Sequence, residues 1–138
     1  MERFISFLMA NWELSSLFAG LLTALWVLES KRSGNTVSPV LATHMINKEN
    51  AWVLDVRDTA DFNQGHIAGA SNIPFQKVKE QVSELAKHQD RPVILVCKMG
   101  QHSGAIGKIL RDNGFKDIHR LSGGISSWSA DRLPLVKA

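Results

Sequence analysis

Cysteine is nearly absent from this chain, which has 1 cysteine in 138 residues. A single cysteine excludes an intramolecular disulfide framework, a Cys-x-x-Cys redox pair and a zinc site built on several thiolates. This usage is typical of a protein from a reducing compartment. The sequence also lacks a run of basic residues, although its formal net charge is +3. We therefore interpret the lysines and arginines as a solvated surface and expect no nucleic-acid partner.

The chain has no internal repeat and no low-complexity tract. Its hydrophobic fraction of 44% is normal for a globular protein. At this length, we expect one domain of ordinary size together with an appendage.

The N-terminal segment is the most apolar part of the chain. Residues Leu14 to Leu28 contain no charge, and the mostly apolar stretch extends back to Phe4. As a helix, the uncharged part would reach roughly 22 Å, which is short of the hydrocarbon thickness of about 30 Å. Extending it back to Trp12 places Trp12 and Trp26 where interfacial aromatic belts occur. We predict a single-pass membrane helix within residues 1–30.

A signal peptide and an ordinary buried helix are the alternatives for this segment. Glu2 offsets Arg3, and residues 27–30 form a poor cleavage site, so a signal peptide fits less well. Lys31 and Arg32 follow the apolar run directly. The positive-inside rule then places the remainder of the chain in the cytoplasm.

Beyond this segment, strand and helix patterns alternate. Serine, glycine and asparagine in residues 31–37 predict a flexible linker, followed by a domain over residues 38–138. The alternation predicts an α/β fold whose mainly parallel sheet of four or five strands is flanked by helices and preceded by one N-terminal hydrophobic helix. The predicted strands are Trp52–Val56, Val93–Val96 and Asp117–Leu121, and helices are predicted to start near Ser38, Asp58, Phe75 and Ser103.

Cys97 ends the apolar run that starts at Val93, so it is predicted at the carboxyl end of a buried strand. Ser103 is predicted to be the N-cap of the next helix, which stops near Asn113-Gly114. Ligands bind at this edge of open α/β sheets, and a helix N-terminus there favours the thiolate form of a cysteine. The alternative is that Cys97 is a small buried hydrophobic residue.

Two further residues are candidates for support of that site. Asp55 lies in an apolar strand, and a buried carboxylate is costly unless it is paired, so we expect Arg57 to be its partner. His66 lies in a turn rich in glycine and alanine. We interpret it as a hydrogen-bonded structural histidine rather than a catalytic base.

Three motifs occur in a fixed order along the globular part. They are Asp55-Val56-Arg57 with Phe62-x-x-Gly65-His66-Ile67-x-Gly69-Ala70-x-Asn72-Ile73-Pro74, then Cys97-x-x-Gly100-x-x-Ser103, then Gly123-Gly124-Ile125-x-x-Trp128. Together they resemble the signatures of the rhodanese family of sulfurtransferases, and the resemblance covers residues 38–137. The second motif lies where that family keeps its active-site loop.

The resemblance implies a ping-pong reaction in which the Cys97 thiolate takes a sulfane sulfur as a persulfide and passes it to a nucleophilic acceptor. The implied donor is thiosulfate or a persulfide, the implied acceptor is a thiol, and neither a metal nor an organic cofactor is required. Asp55, Arg57 and His66 would support the site. Main-chain N–H groups of the loop would hold the persulfide; its residues are Lys98, Met99, Gly100, Gln101, His102 and Ser103.

His102 departs from the family pattern, because many members carry arginine in this loop. A permanently charged, bidentate fork is replaced by a group that is mostly neutral near pH 7. We therefore expect weak activity on thiosulfate that improves as the pH falls towards 6, and a protein or low-molecular-weight persulfide as the more suitable donor.

Two other functions compete with sulfur transfer. Related dual-specificity phosphatases need an arginine six positions after the cysteine to hold phosphate, and Ser103 occupies that position here. The second alternative is a membrane-tethered interaction module that docks on a membrane-protein partner, with incidental or no catalysis.

Overall fold

A computed structural model describes residues 1–32, 35–99 and 102–137. The chain forms two compact units, residues 1–31 and residues 32–138.

The first unit contains the predicted N-terminal hydrophobic helix, which is divided into α1 (Glu2–Ala10) and α2 (Trp12–Arg32). The break lies at Asn11, which has φ −120° and ψ 42°. Both the backbone N–H and the side-chain amide of Asn11 donate to the carbonyl of Phe7, at 3.1 and 3.0 Å. A short amide side chain that competes for backbone acceptors in this way favours a helix end.

Helix α2 contains one candidate membrane span, the 18 residues Trp12–Glu29 with mean hydropathy 1.2. None of this window is buried, whereas the core helix of a soluble protein would be mostly covered. By length and composition the helix is therefore a marginal candidate to cross a membrane.

The second unit is built on a five-stranded sheet in the order β1-β5-β4-β2-β3, with every neighbouring pair parallel. This confirms the predicted α/β class, because helices connect the strands and cover both faces. The strands are β1 (Asn35–Val37), β2 (Trp52–Asp55), β3 (Ser71–Asn72), β4 (Val93–Val96) and β5 (Ile118–Leu121). The helices are α3 (Pro39–Lys48), α4 (Thr59–Gln64), α5 (Phe75–Gln81), a 3-10 helix (Val82–His88), α6 (Ser103–Asp112) and α7 (Gly124–Ala130).

Strand β1 corrects the predicted linker. Asn35, Thr36 and Val37 pair with β5, and the Val37 side chain is buried. The composition of residues 31–37 suggested flexibility, but an edge strand of three residues needs only one apolar side chain to enter the core. Residues 33 and 34 of the predicted linker lie outside the described residues.

The sheet separates two hydrophobic layers. Val93 and Leu95 of β4 face the layer under α5 and α6, whereas Ile94 and Val96 face the layer under α3 and α7. Trp128 is buried in the second layer. Because β4 is the central strand and is covered on both faces, the residue that follows it is held by packing from both layers.

Two helices start where they were predicted, and one of them has the expected side-chain cap. The Ser38 hydroxyl accepts the N–H of Leu41 at 3.2 Å, with Pro39 as the first helical residue. Asp58 occupies the N-cap position of α4 but makes no side-chain cap hydrogen bond. The helix predicted over Phe75–Lys87 tightens to a 3-10 helix from Val82, where Val82 and Leu85, three residues apart, are both buried.

Candidate active site

Cys97 directly follows β4 at the carboxyl end of the central strand, and its residue exposure is 3%. A loop then leads to α6, so the predicted order of strand, loop and helix is present. The sulfur therefore lies at the sheet edge where α/β proteins bind ligands, near the positive end of a helix dipole.

Ser103 is not the N-cap of α6, contrary to the prediction. The helix begins at Ser103, and His102 occupies the N-cap position without a side-chain cap hydrogen bond. Ser103 is 1% exposed, and its hydroxyl oxygen lies 3.8 Å from the Cys97 sulfur. The hydroxyl therefore lies inside the protein, next to the sulfur, rather than capping the helix.

The start of the Cys97 loop is anchored to α7. The N–H of Ile125 donates to the Cys97 carbonyl at 2.8 Å, and the N–H of Ser126 donates to the Lys98 carbonyl at 3.2 Å. The Ser126 hydroxyl also donates to the Lys98 carbonyl, at 2.9 Å. These contacts hold the backbone carbonyls of Cys97 and of the residue that follows it.

Gly124 makes this anchoring possible. Its φ is +60°, and a Cβ atom there would lie 2.2 Å from the Cys97 carbonyl oxygen. Only glycine allows both this conformation and this approach. The Gly123-Gly124 pair belongs to the third sequence motif, but the sequence did not connect it with Cys97; a glycine pair at the start of a short helix was the available signal.

Asp55 and Arg57 form a buried ion pair at the end of β2, next to β4. The Arg57 Nε lies 3.0 and 3.1 Å from the two carboxylate oxygens of Asp55, and Nη2 lies 2.7 Å from Oδ2. Nη2 also donates to the Gly65 carbonyl at 2.8 Å, and Nη1 lies 3.5 Å from the Asp61 carbonyl. The hydrogen-bond donors of the guanidinium are therefore taken up by groups of the protein.

Both the ring and the backbone of His66 contact neighbouring residues. Its Nδ1 lies 2.9 Å from the Phe62 carbonyl, and its ring stacks on Phe62 with 3.8 Å between centroids. Its backbone exchanges two hydrogen bonds of 2.8 Å with Val136. These contacts are those expected of a hydrogen-bonded structural histidine.

A cavity of about 380 Å³ opens beside Cys97. Of the loop residues predicted to bind substrate, Lys98, Met99 and His102 line it; Gly100 and Gln101 lie outside the described residues. The His102 ring rests at a tilt on Phe75, with 4.6 Å between centroids. The other lining residues are Val56, Arg57, Asp58, Asp61, Phe75 and Gln76.

Comparison with known proteins decides the family. Residues 38–131 match the profile of the Rhodanese-like domain, which is more than half of the chain. The chain belongs to the rhodanese-like family. This agrees with the motifs around Asp55, Cys97 and Gly124.

Two relatives of this rhodanese-like chain differ in what their names state. The uncharacterized protein YibN of Escherichia coli strain K12 is 36% identical over 141 residues, covering 99% of both chains. The thiosulfate sulfurtransferase GlpE of Shewanella oneidensis is 33% identical over 84 residues, covering 61% of this chain and 81% of that protein. The second similarity supports sulfur transfer at the level of the family.

Among solved structures, the rhodanese-related protein of Thermoplasma volcanium superimposes with a TM-score of 0.67 at 28% identity. The superposition covers 74% of this chain and 97% of the Thermoplasma volcanium chain. The rhodanese-like fold is therefore shared over the globular part of the molecule.

Proposed function

We propose that this protein is a membrane-anchored sulfurtransferase that carries sulfane sulfur on Cys97. The observation that carries the proposal is the placement of the only cysteine, at the end of the central strand, against a cavity, with its carbonyl held by α7. A cysteine that served only as core filling would not need an opening beside its sulfur.

The reaction divides into two transfers. The Cys97 thiolate attacks the outer sulfur of the donor, a new S–S bond forms, and the donor's S–S bond breaks with its electron pair leaving on the departing group. An acceptor thiol then attacks the outer sulfur of the Cys97 persulfide. The acceptor leaves as a persulfide, and the electron pair of the broken bond returns to the Cys97 sulfur.

The residues around the sulfur suit an anionic persulfide. Helix α6 begins at Ser103, next to the sulfur, and the positive end of a helix dipole favours a negative charge there. The Ser103 hydroxyl, 3.8 Å from the sulfur, can reorient as charge moves between the inner and outer sulfur atoms. Asp55 and Arg57 keep the neighbouring strand end rigid, and Lys98 supplies a positive charge at the cavity.

Intact mass spectrometry tests the proposal directly. After incubation with a sulfane-sulfur donor, we expect a mass gain of about 32 Da, one sulfur atom, on Cys97 that is lost on adding a thiol. Alkylating Cys97 beforehand is the control. If no donor produces the adduct, the remaining function is the tethered interaction module.

His102 is expected to limit the use of thiosulfate. The Arg57 fork is paired with Asp55, and the imidazole of His102 lacks the permanently charged, bidentate fork of an arginine. We expect kcat/KM for thiosulfate to be higher in His102→Arg than in the wild type, measured by steady-state kinetics with one acceptor thiol. An unchanged value would contradict the role of His102.

We also propose that helix α2 anchors the protein in the membrane with the rhodanese-like domain in the cytoplasm. The protein is expected to stay in the membrane pellet after alkaline carbonate washing. As control, Leu21→Arg with Leu22→Arg places two charges mid-helix, each costing about 3 kcal/mol of insertion free energy, and should release it. Recovery of the wild type in the supernatant would exclude the anchor. A tether of this kind favours acceptors at the membrane, including membrane proteins.

A further inference from the structure

The cavity beside Cys97 is lined by two aspartates, although the whole chain is formally +3. Asp58 and Asp61 line it together with Lys98. Arg57 also lines it, but its charge is balanced by Asp55 at 2.7 Å. Among the described lining residues with a permanent charge, therefore, the two aspartates outnumber the one cation without a salt bridge, Lys98.

The two carboxylates are not neutralised by other contacts. Asp58 is exposed and Asp61 is partly exposed, and within the described part of the chain neither carboxylate forms a salt bridge. Arg57 approaches Asp61 only through the backbone carbonyl, at 3.5 Å. The negative charge of both side chains is therefore free to act on a ligand that enters the cavity.

The rest of the lining is largely apolar. Val56, Phe75 and Met99 contribute hydrocarbon or thioether surface, and the Met99 side chain is 61% exposed. Such a surface suits the organic part of a donor, whereas a compact dianion would lose hydration there without gaining a cationic fork.

Resting on the proposed sulfur transfer, we propose that Asp58 and Asp61 determine donor specificity. They select against donors with two negative charges next to the transferred sulfur and favour organic donors with one, such as a thiol persulfide. In that transfer the Cys97 thiolate bonds to the outer sulfur of R–S–S⁻ and the thiolate R–S⁻ leaves, so that charge and atoms balance.

Two donors that differ by one charge provide the test. Thiosulfate is a dianion that releases sulfite, and methanethiosulfonate is a monoanion that releases methanesulfinate; both offer the same sulfur bonded to a sulfonyl centre. In a ping-pong reaction, kcat/KM for the donor reports only the first transfer, so one acceptor thiol serves for both.

The variant is Asp58→Asn with Asp61→Asn, which keeps side-chain size. Because Coulomb energy scales with the product of the charges, we expect kcat/KM to rise about tenfold for thiosulfate and about threefold for methanethiosulfonate at low ionic strength. Both gains should shrink as salt is added, since these charges are solvent accessible. Glu49→Gln, which removes an exposed carboxylate at the C-cap of α3, is the matched control and should change neither value.

The outcomes separate the two proposals. Equal gains in kcat/KM for the two donors, or no gain, would overturn the selection by charge. A Cys97 persulfide in the wild type would still support sulfur transfer in that case. Absence of a persulfide in the wild type with both donors and with an organic persulfide would overturn sulfur transfer itself, and the specificity proposal with it. The exposed Asp58 is also replaced alone, so that the effect is measured even if the half-buried Asp61 position affects folding.

Discussion

The variant Cys97→Ser is expected to lose sulfur transfer by more than about 10³-fold while it stays folded. A serine hydroxyl is not ionised near neutral pH and cannot hold a sulfane sulfur, so the first transfer has no nucleophile. The sequence contains no second cysteine that could take over or receive the sulfur internally. Steady-state transfer from the donor to an added thiol, together with intact mass, measures the loss.

Retention of the fold is what makes this variant informative. The new hydroxyl would replace the sulfur near Ser103, whose oxygen lies 3.8 Å away and can hydrogen bond with it, so the free energy of unfolding should fall by only about 1 to 2 kcal/mol. Urea unfolding checks this. Transfer at a rate near that of the wild type would show that the sulfur does not pass through Cys97.

The variant Asp55→Ala is expected to lower the free energy of unfolding by about 3 kcal/mol or more. It would leave the Arg57 guanidinium, whose side chain is 7% exposed, without its counterion. The Asp55 carboxylate also accepts the backbone N–H of Arg57 at 3.0 Å, so the turn after β2 would lose a second bond. Urea unfolding monitored by tryptophan fluorescence gives the difference.

The matched control is the double variant Asp55→Leu with Arg57→Met. Replacing both charges by apolar groups of similar size removes the uncompensated charge, and so should cost less than Asp55→Ala alone. The Gly65 carbonyl would still lose its 2.8 Å bond from Arg57, and a residual loss is expected. A loss below about 1 kcal/mol for Asp55→Ala would mean that the pair does not stabilise the fold as described.

Local interactions explain why much of the fold was predictable. Ser38 caps α3 through a residue three positions away, and Asp55 pairs with a residue two positions away. The apolar run before Cys97 predicts a strand because its residues are buried on both faces of a parallel sheet. Short sequence separation makes such contacts visible as patterns.

Contacts between distant segments were not predictable in the same way. The Gly124 backbone must approach the Cys97 carbonyl, a requirement that spans 27 positions along the chain. Strand β1 is recognisable only through its pairing with β5, because three residues carry too little pattern. Helix α6 begins one residue later than the predicted cap implies, and Ser103 is buried next to the Cys97 sulfur.

The amino-acid sequence by itself determined the α/β class, the alternation of strand and helix, and the position of the single cysteine at a strand end. These follow from local periodicity and from side-chain chemistry. Only the tertiary structure decided what surrounds Cys97. Ser103 lies next to its sulfur, the backbone of Gly124 and Ile125 contacts its carbonyl, and Asp58 and Asp61 line the same cavity. The physical reason is that a parallel sheet brings the carboxyl ends of separate strands to one edge. Residues that meet there are far apart in the sequence, so no local pattern indicates that they are close.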